Sequence, residues 1–172
     1  MRKRHNRLQI FFAAAAFLYV AVVAGVAYFS VENSKKLVLD YVDSRLKSAA
    51  STLKFLLAED FHDRAIESSS IGLSEELVNR QKLNSFVAST DFSWAYTLVE
   101  RDGGFFFSAP TVTEKEAKEQ ERWYFHPYKD IPAEFRQAFK DGKTAFVSYR
   151  DQWGAYRSIA FPERSPGGRV YL

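Results

Sequence analysis

Apolar residues are distributed unevenly along this chain. Residues 10–29 (IFFAAAAFLYVAVVAGVAYF) form a run of twenty positions without a charge. As a helix this run is about 30 Å long at 1.5 Å per residue, the thickness of a bilayer's hydrocarbon core. A lone segment in lipid must satisfy its own backbone polar groups, so the run is predicted helical. Beyond it, Val38, Val42, Leu46, Ala49, Leu53 and Leu56 recur at steps of four and three, a seven-residue pattern on one helical face. No Pro or Gly stands between Gly25 and Gly72, so the two segments can join as one helix. The stripe fits two roles, a face laid on the domain's own sheet and a seam with a second copy of the chain. Different ends of the helix can serve each.

Ser68, Ser69, Ser70 and Gly72 break the pattern, after which Ser74 is predicted to cap a second helix with Glu75 and Glu76 in its first turn, ending near Ser89. The period then changes to two. Phe92, Trp94, Tyr96 and Leu98 alternate with Ser93, Ala95, Thr97 and Val99, followed by Arg101-Asp102-Gly103-Gly104 and Phe105-Phe106-Phe107. This predicts a β-hairpin on an Asp-Gly turn, with Trp94 and Tyr96 on one face of its first strand. Thr113 and Glu116 have capping-box spacing, so a short charged helix should lead into the aromatic stretch 122–128. A helix over 133–140 stops at Gly142, and strands over 144–151 and 155–161 are joined through Gln152-Trp153-Gly154. A turn at 165–168 feeds a last strand that has barely begun at Leu172. The fold class expected is α+β, a long helix packed on an antiparallel sheet of about five strands.

Charge separates the chain into unlike parts. The 172 residues carry net +3, but Arg2, Lys3, Arg4 and Arg7 lie in the first seven positions, and residues 30–172 hold 20 basic against 21 acidic side chains. No basic excess is left to concentrate for phosphate binding, so a nucleic-acid partner is not expected. The same four residues, set against Glu32, Lys35 and Lys36 beyond the run, keep the N-terminus cytoplasmic by the positive-inside rule. Three parts follow: a cytoplasmic tail (1–9), a membrane span (10–29) and an outer domain (30–172). A cleaved secretory signal is the main alternative, although its apolar region is usually about 7–15 residues. The absence of cysteine excludes haem attachment, thiolate metal sites and thiol nucleophiles.

Residues 122–128 concentrate the chemistry. Arg122 offers a planar two-pronged donor for a carboxylate, Tyr124 and Tyr128 offer hydroxyls, Trp123 an apolar wall and His126 a polar ring tip. Small-ligand pockets are mostly apolar with a few aimed polar groups, which this composition matches. The same residues would equally plug the sheet's open face, with Arg122 paired to Glu119 or Glu121. Tyr149 and Asp151 share a strand face, where Asp151 either accepts from a ligand or fixes the turn after it. Arg157 is a further carboxylate partner or a surface ion pair. His62 and Asp63 read as a surface pair. No His-Glu-x-x-His spacing, nucleophile elbow or phosphate loop is present, so no catalysis, metal or cofactor is expected.

The order of elements, with the hairpin SWAYTLVERDGGFFFSAP, the Arg122-Trp123-Tyr124 stretch and the segment TAFVSYRDQWGAYRSIAFPERSPGGRVYL, resembles the Cache family of PAS-like extracytoplasmic sensor domains. These occur in chemotaxis receptors, sensor histidine kinases and cyclic-dinucleotide enzymes. The resemblance, over roughly residues 10–172, implies a five-stranded sheet with the long helix alongside and a ligand pocket on the other face, closed by the connector. It implies a membrane receptor, homodimeric through the long helix, that binds a small carboxylate or amino-acid-like ligand and signals by helix displacement. Trp94, Tyr96, Arg122, Trp123, Tyr124, His126, Tyr149 and Asp151 would line the pocket. Amine-recognising relatives read Arg-x-Trp-Tyr in the connector. Here the Arg is one residue out of register, so Tyr124 and Asp151 carry over and amino-acid specificity does not. Relatives continue past the last strand into a second membrane helix and a signalling module, so the chain reads as a fragment.

Overall fold

The computed structural model describes residues 2–151 and 154–172, with the side chains of residues 2–10 and of Asp151 outside that description. Helix α1 (Arg2–Leu53) is unbroken, as the absence of Pro and Gly after Gly25 permits. Residues up to Val42 form one unit and residues 43–172 another.

In the first unit the apolar run has no protein cover. Phe11, Phe17, Tyr19 and Phe29 are 67–77% exposed, and the most apolar window has a mean hydropathy of 2.1. Water penalises so long a bare apolar surface. The helix is long and apolar enough to cross a membrane. Exposure continues through Leu37, Val38, Leu39 and Tyr41.

In the second unit the last turns of α1 place Leu46, Ala49 and Leu53 half-buried, and Leu53 packs against a core of Leu57, Phe61, Ile71, Leu83 and Tyr124. This end of the stripe covers the domain's own interior. Helix α2 (Phe61–Arg64) follows. Its His62 is no surface residue: it is buried and stacked on Tyr171 at 3.5 Å. Asp63 accepts from the Ser165 hydroxyl and from the Gly167 amide at 2.9 Å, fixing the 165–168 turn. The two neighbours on α2 are committed to different partners. Helix α3 (Leu73–Ala88) starts two residues earlier than Ser74 capping requires, with extended Gly72 at its N-cap and no side-chain cap.

Strands β1 (Tyr96–Arg101) and β2 (Gly104–Pro110) form the expected hairpin. Asp102 (φ 53°) and Gly103 (φ 79°) both take positive φ, the two-residue turn whose twist suits the strands. Trp94 stands before β1, in irregular chain. The hairpin is covered on both faces, not one. Tyr96, Leu98, Phe105 and Phe107 meet a core with Phe135, Val147 and Leu172, whereas Ala95 and Ala109 join the helical core of Leu57 and Phe61. A bulge between Thr97 and Leu98 adjusts the register, and Thr97 bonds Ser108 across it at 2.7 Å.

Helix α4 (Glu114–Glu119) carries the capping box of Thr113 and Glu116. The connector then adds β3 (His126–Pro127) to the edge of β2. Helix α5 (Ala133–Asp141) closes on Gly142 in the left-handed conformation (φ 67°). Strands β4 (Ala145–Asp151) and β5 (Gly154–Ala160) pair antiparallel, as do β6 (Glu163–Arg164) and β7 (Val170–Tyr171); Gln152 and Trp153, in the predicted turn between β4 and β5, lie outside the described residues. Leu172 exchanges two backbone hydrogen bonds with Leu98, at 2.8 and 3.0 Å, which sets the last strand beside β1. The architecture is α+β: a long apolar N-terminal helix and small antiparallel sheets.

Candidate ligand-binding site

A cavity of about 380 Å³ opens in the second unit where β1, β2, β4 and β5 face the connector. Trp94, Tyr96 and Phe107 contribute from the hairpin, Trp123, His126 and Tyr128 from the connector, and Tyr149 and Tyr156 from the β4–β5 pair. Strand periodicity places these rings. Tyr96 leans inward with Leu98, and Tyr149 and Tyr156 stand opposite each other in register. Tyr96 lies nearly perpendicular to Phe107 (86°, 5.3 Å) and to Tyr128 (85°, 6.1 Å). Burial holds the Tyr96 hydroxyl well above the usual phenol range, and its hydrogen bonds to Tyr149 and Tyr128 act in the same direction. It is a neutral group at physiological pH.

Charge enters the rim through Glu116, Lys129 and Asp130. His126 is held below its ordinary value by burial and then by the Lys129 charge, with Gln120 Nε2 3.2 Å from its Nδ1. Neutral His126 leaves two acids and one base around the cavity.

The connector divides its side chains between the cavity and the helical core. Phe125 takes φ 61°, a left-handed conformation that bulky residues avoid, and its amide bonds Phe107 O at 2.7 Å. Trp123, His126 and Tyr128 face the cavity. Arg122 and Tyr124 belong to the other side. The Arg122 guanidinium donates to Ile71 O and lies 3.5 Å from Glu76, and the Tyr124 hydroxyl donates to Glu67 O at 2.9 Å. Buried Glu76 is the anchor. Its Oε1 accepts from the Trp123 amide at 2.6 Å, the Tyr124 amide at 2.9 Å and Arg80 at 2.6 Å.

Five of the eight predicted pocket residues therefore line one cavity: Trp94, Tyr96, Trp123, His126 and Tyr149. Arg122 and Tyr124 do not, because they fasten the connector from behind; the Asp151 side chain lies outside the described residues. Arg157 is committed to Asp43, at 2.6 and 2.7 Å in a two-pronged pair. Sequence reasoning passed over Phe107 and Tyr156, although period-two spacing from Phe105 and the cross-strand position of Tyr149 would have found both. Glu76 carried no such signal, since an acid in a helix's first turn is ordinarily solvated. Among the described residues no three His, Asp or Glu side chains gather as a metal site. No protein-family model, curated protein or solved structure matches the chain.

Proposed function

We propose that this chain is the ligand-sensing part of a transmembrane receptor, with its basic tail in the cytoplasm and residues 30–172 outside, binding a small organic molecule and signalling by displacement of α1. The cavity carries this reading: about 380 Å³, ring-lined and with few polar groups, it has the size and composition of small-molecule sites. A scaffold without a ligand predicts a filled core at that place. The partnership of Leu98 with Leu172 sets β7 between β1 and β6, an order that supports a PAS-like sheet.

Arg157 and Ser148 occupy the face of β4–β5 opposite to Tyr149 and Tyr156, and Arg157 holds Asp43 of α1. Any shift of these strands as the cavity fills is thereby passed to the helix. Helix slides of about 1–2 Å are an established switching motion, and a ligand shifts the balance by binding one position better. The exposed Leu37, Val38, Leu39 and Tyr41 suit a seam with a second copy. The carboxylate version of the ligand now rests on Lys129, since Arg122 is engaged elsewhere.

Thermal-shift screening of the detergent-solubilised full chain against organic acids, amino acids and amines tests the reading. Saturable stabilisation by at least one compound is expected. A panel without a hit would reject the receptor function.

A further inference from the structure

We infer that the cavity is built for a methylated ammonium group, the head group shared by choline and betaine-type zwitterions, held against ring faces. This deepens the ligand-sensing reading and rests on it.

Four observations converge. First, the walls are rings: two tryptophans, four tyrosines and a phenylalanine line the cavity, several of them set at near right angles. The faces of electron-rich rings attract a cation, most strongly where water is excluded. Second, the guanidinium expected to take a carboxylate is turned away from the cavity, which leaves Lys129 as the base among the lining residues. Arg122 donates to Ile71 O and lies 3.5 Å from Glu76, and the Tyr96 hydroxyl is hydrogen-bonded to Tyr149 and Tyr128. Third, the charges at the rim are Glu116 and Asp130 against Lys129, with His126 neutral, so the surroundings favour a positive occupant. Fourth, acceptors on the walls are already in use: Glu116 Oε2 takes the Thr113 amide and hydroxyl, and the Tyr96 hydroxyl is engaged with Tyr149 and Tyr128. A primary ammonium needs about three acceptors and would leave bonds unmade in so apolar a space, whereas a quaternary nitrogen carries no N–H and needs none.

Calorimetry on the detergent-solubilised full chain separates charge from shape. The probes are tetramethylammonium, choline, glycine betaine, ethanolamine, acetate, succinate and 3,3-dimethylbutan-1-ol, the uncharged carbon analogue of choline. At least one methylated cation should bind about 10-fold or more tightly than both the uncharged analogue and ethanolamine. Preference for betaine over choline would mark the carboxylate facing Lys129, and the reverse preference an alcohol tail. Trp94→Phe, which keeps a ring, should retain affinity within about 3-fold, and Trp94→Leu should lose about 10-fold or more, with circular dichroism unchanged in both. Equal affinity for the uncharged analogue, or Trp94→Leu binding like wild type, overturns the inference. Binding of carboxylates alone overturns it as well and leaves the receptor reading standing, whereas no binding by any probe, together with an empty thermal-shift panel, overturns both.

Discussion

Burial keeps the His62 imidazole neutral by lowering its pKa from 6.5 to about 3, against the smaller opposing pull of Asp63. Its Nε2 has no hydrogen-bond partner and its ring lies flat on Tyr171. Above pH 6.5 both folded and unfolded chains hold it neutral, and its contribution to stability is fully present. As pH falls toward 3 the unfolded chain gains a proton that the folded chain refuses, so stability is lost across that window. Between pH 7 and pH 5 the loss is about 2 kcal/mol. Urea unfolding followed by tryptophan fluorescence should show this decline in the wild type and a flatter profile in His62→Phe, which keeps a ring on Tyr171. Identical pH profiles would remove His62 as the cause. Nothing in the sequence marks this histidine as buried. An adjacent His and Asp on a short helix look like a surface pair, and only the return of the chain at Tyr171, more than a hundred residues later, covers the ring.

Elements with local rules were legible in the sequence. The Asp102-Gly103 turn, the Thr113–Glu116 box and the Gly142 stop fall where turn and cap chemistry put them, because each depends on residues a few positions apart. The connector has no such rule. Its stretch of aromatic residues says that rings will be buried, but the left-handed Phe125 decides which of them reach the cavity, and a run such as Trp-Tyr-Phe-His does not announce positive φ. Glu76, 47 residues before Trp123, holds that shape. Glu76→Ala leaves the Trp123 and Tyr124 amides without their acceptor and the Arg80 and Arg122 charges without their counter-charge. It should cost about 3–5 kcal/mol, with Glu76→Gln costing less because its oxygen still accepts. Urea midpoints of the two variants measure both values, and an Ala variant within about 1 kcal/mol of wild type would show that the clamp contributes little.

For the whole molecule, the net charge is a property of one end of the chain. The four basic residues near the N-terminus account for the net +3, and the rest is nearly neutral. The twenty-residue uncharged run, which has few physical interpretations, lies inside the first unit, and that unit extends to Val42, beyond the expected start of the outer domain at residue 30. The cavity was readable only in part. Ring-rich strands and a ring-rich connector foretell an aromatic space, but the partner of each charged side chain is set by contacts far apart in sequence: Arg157 finds Asp43 and Arg122 finds Glu76.

The central claim is that a small molecule occupies this cavity. Thr111, on its wall, is the place to block it. Calorimetric titration of the strongest hit from the ligand panel should give one saturable site per wild-type chain and no saturable binding to a Thr111→Trp variant that retains the wild-type circular dichroism. Undiminished affinity in that variant would place the ligand elsewhere and contradict the account.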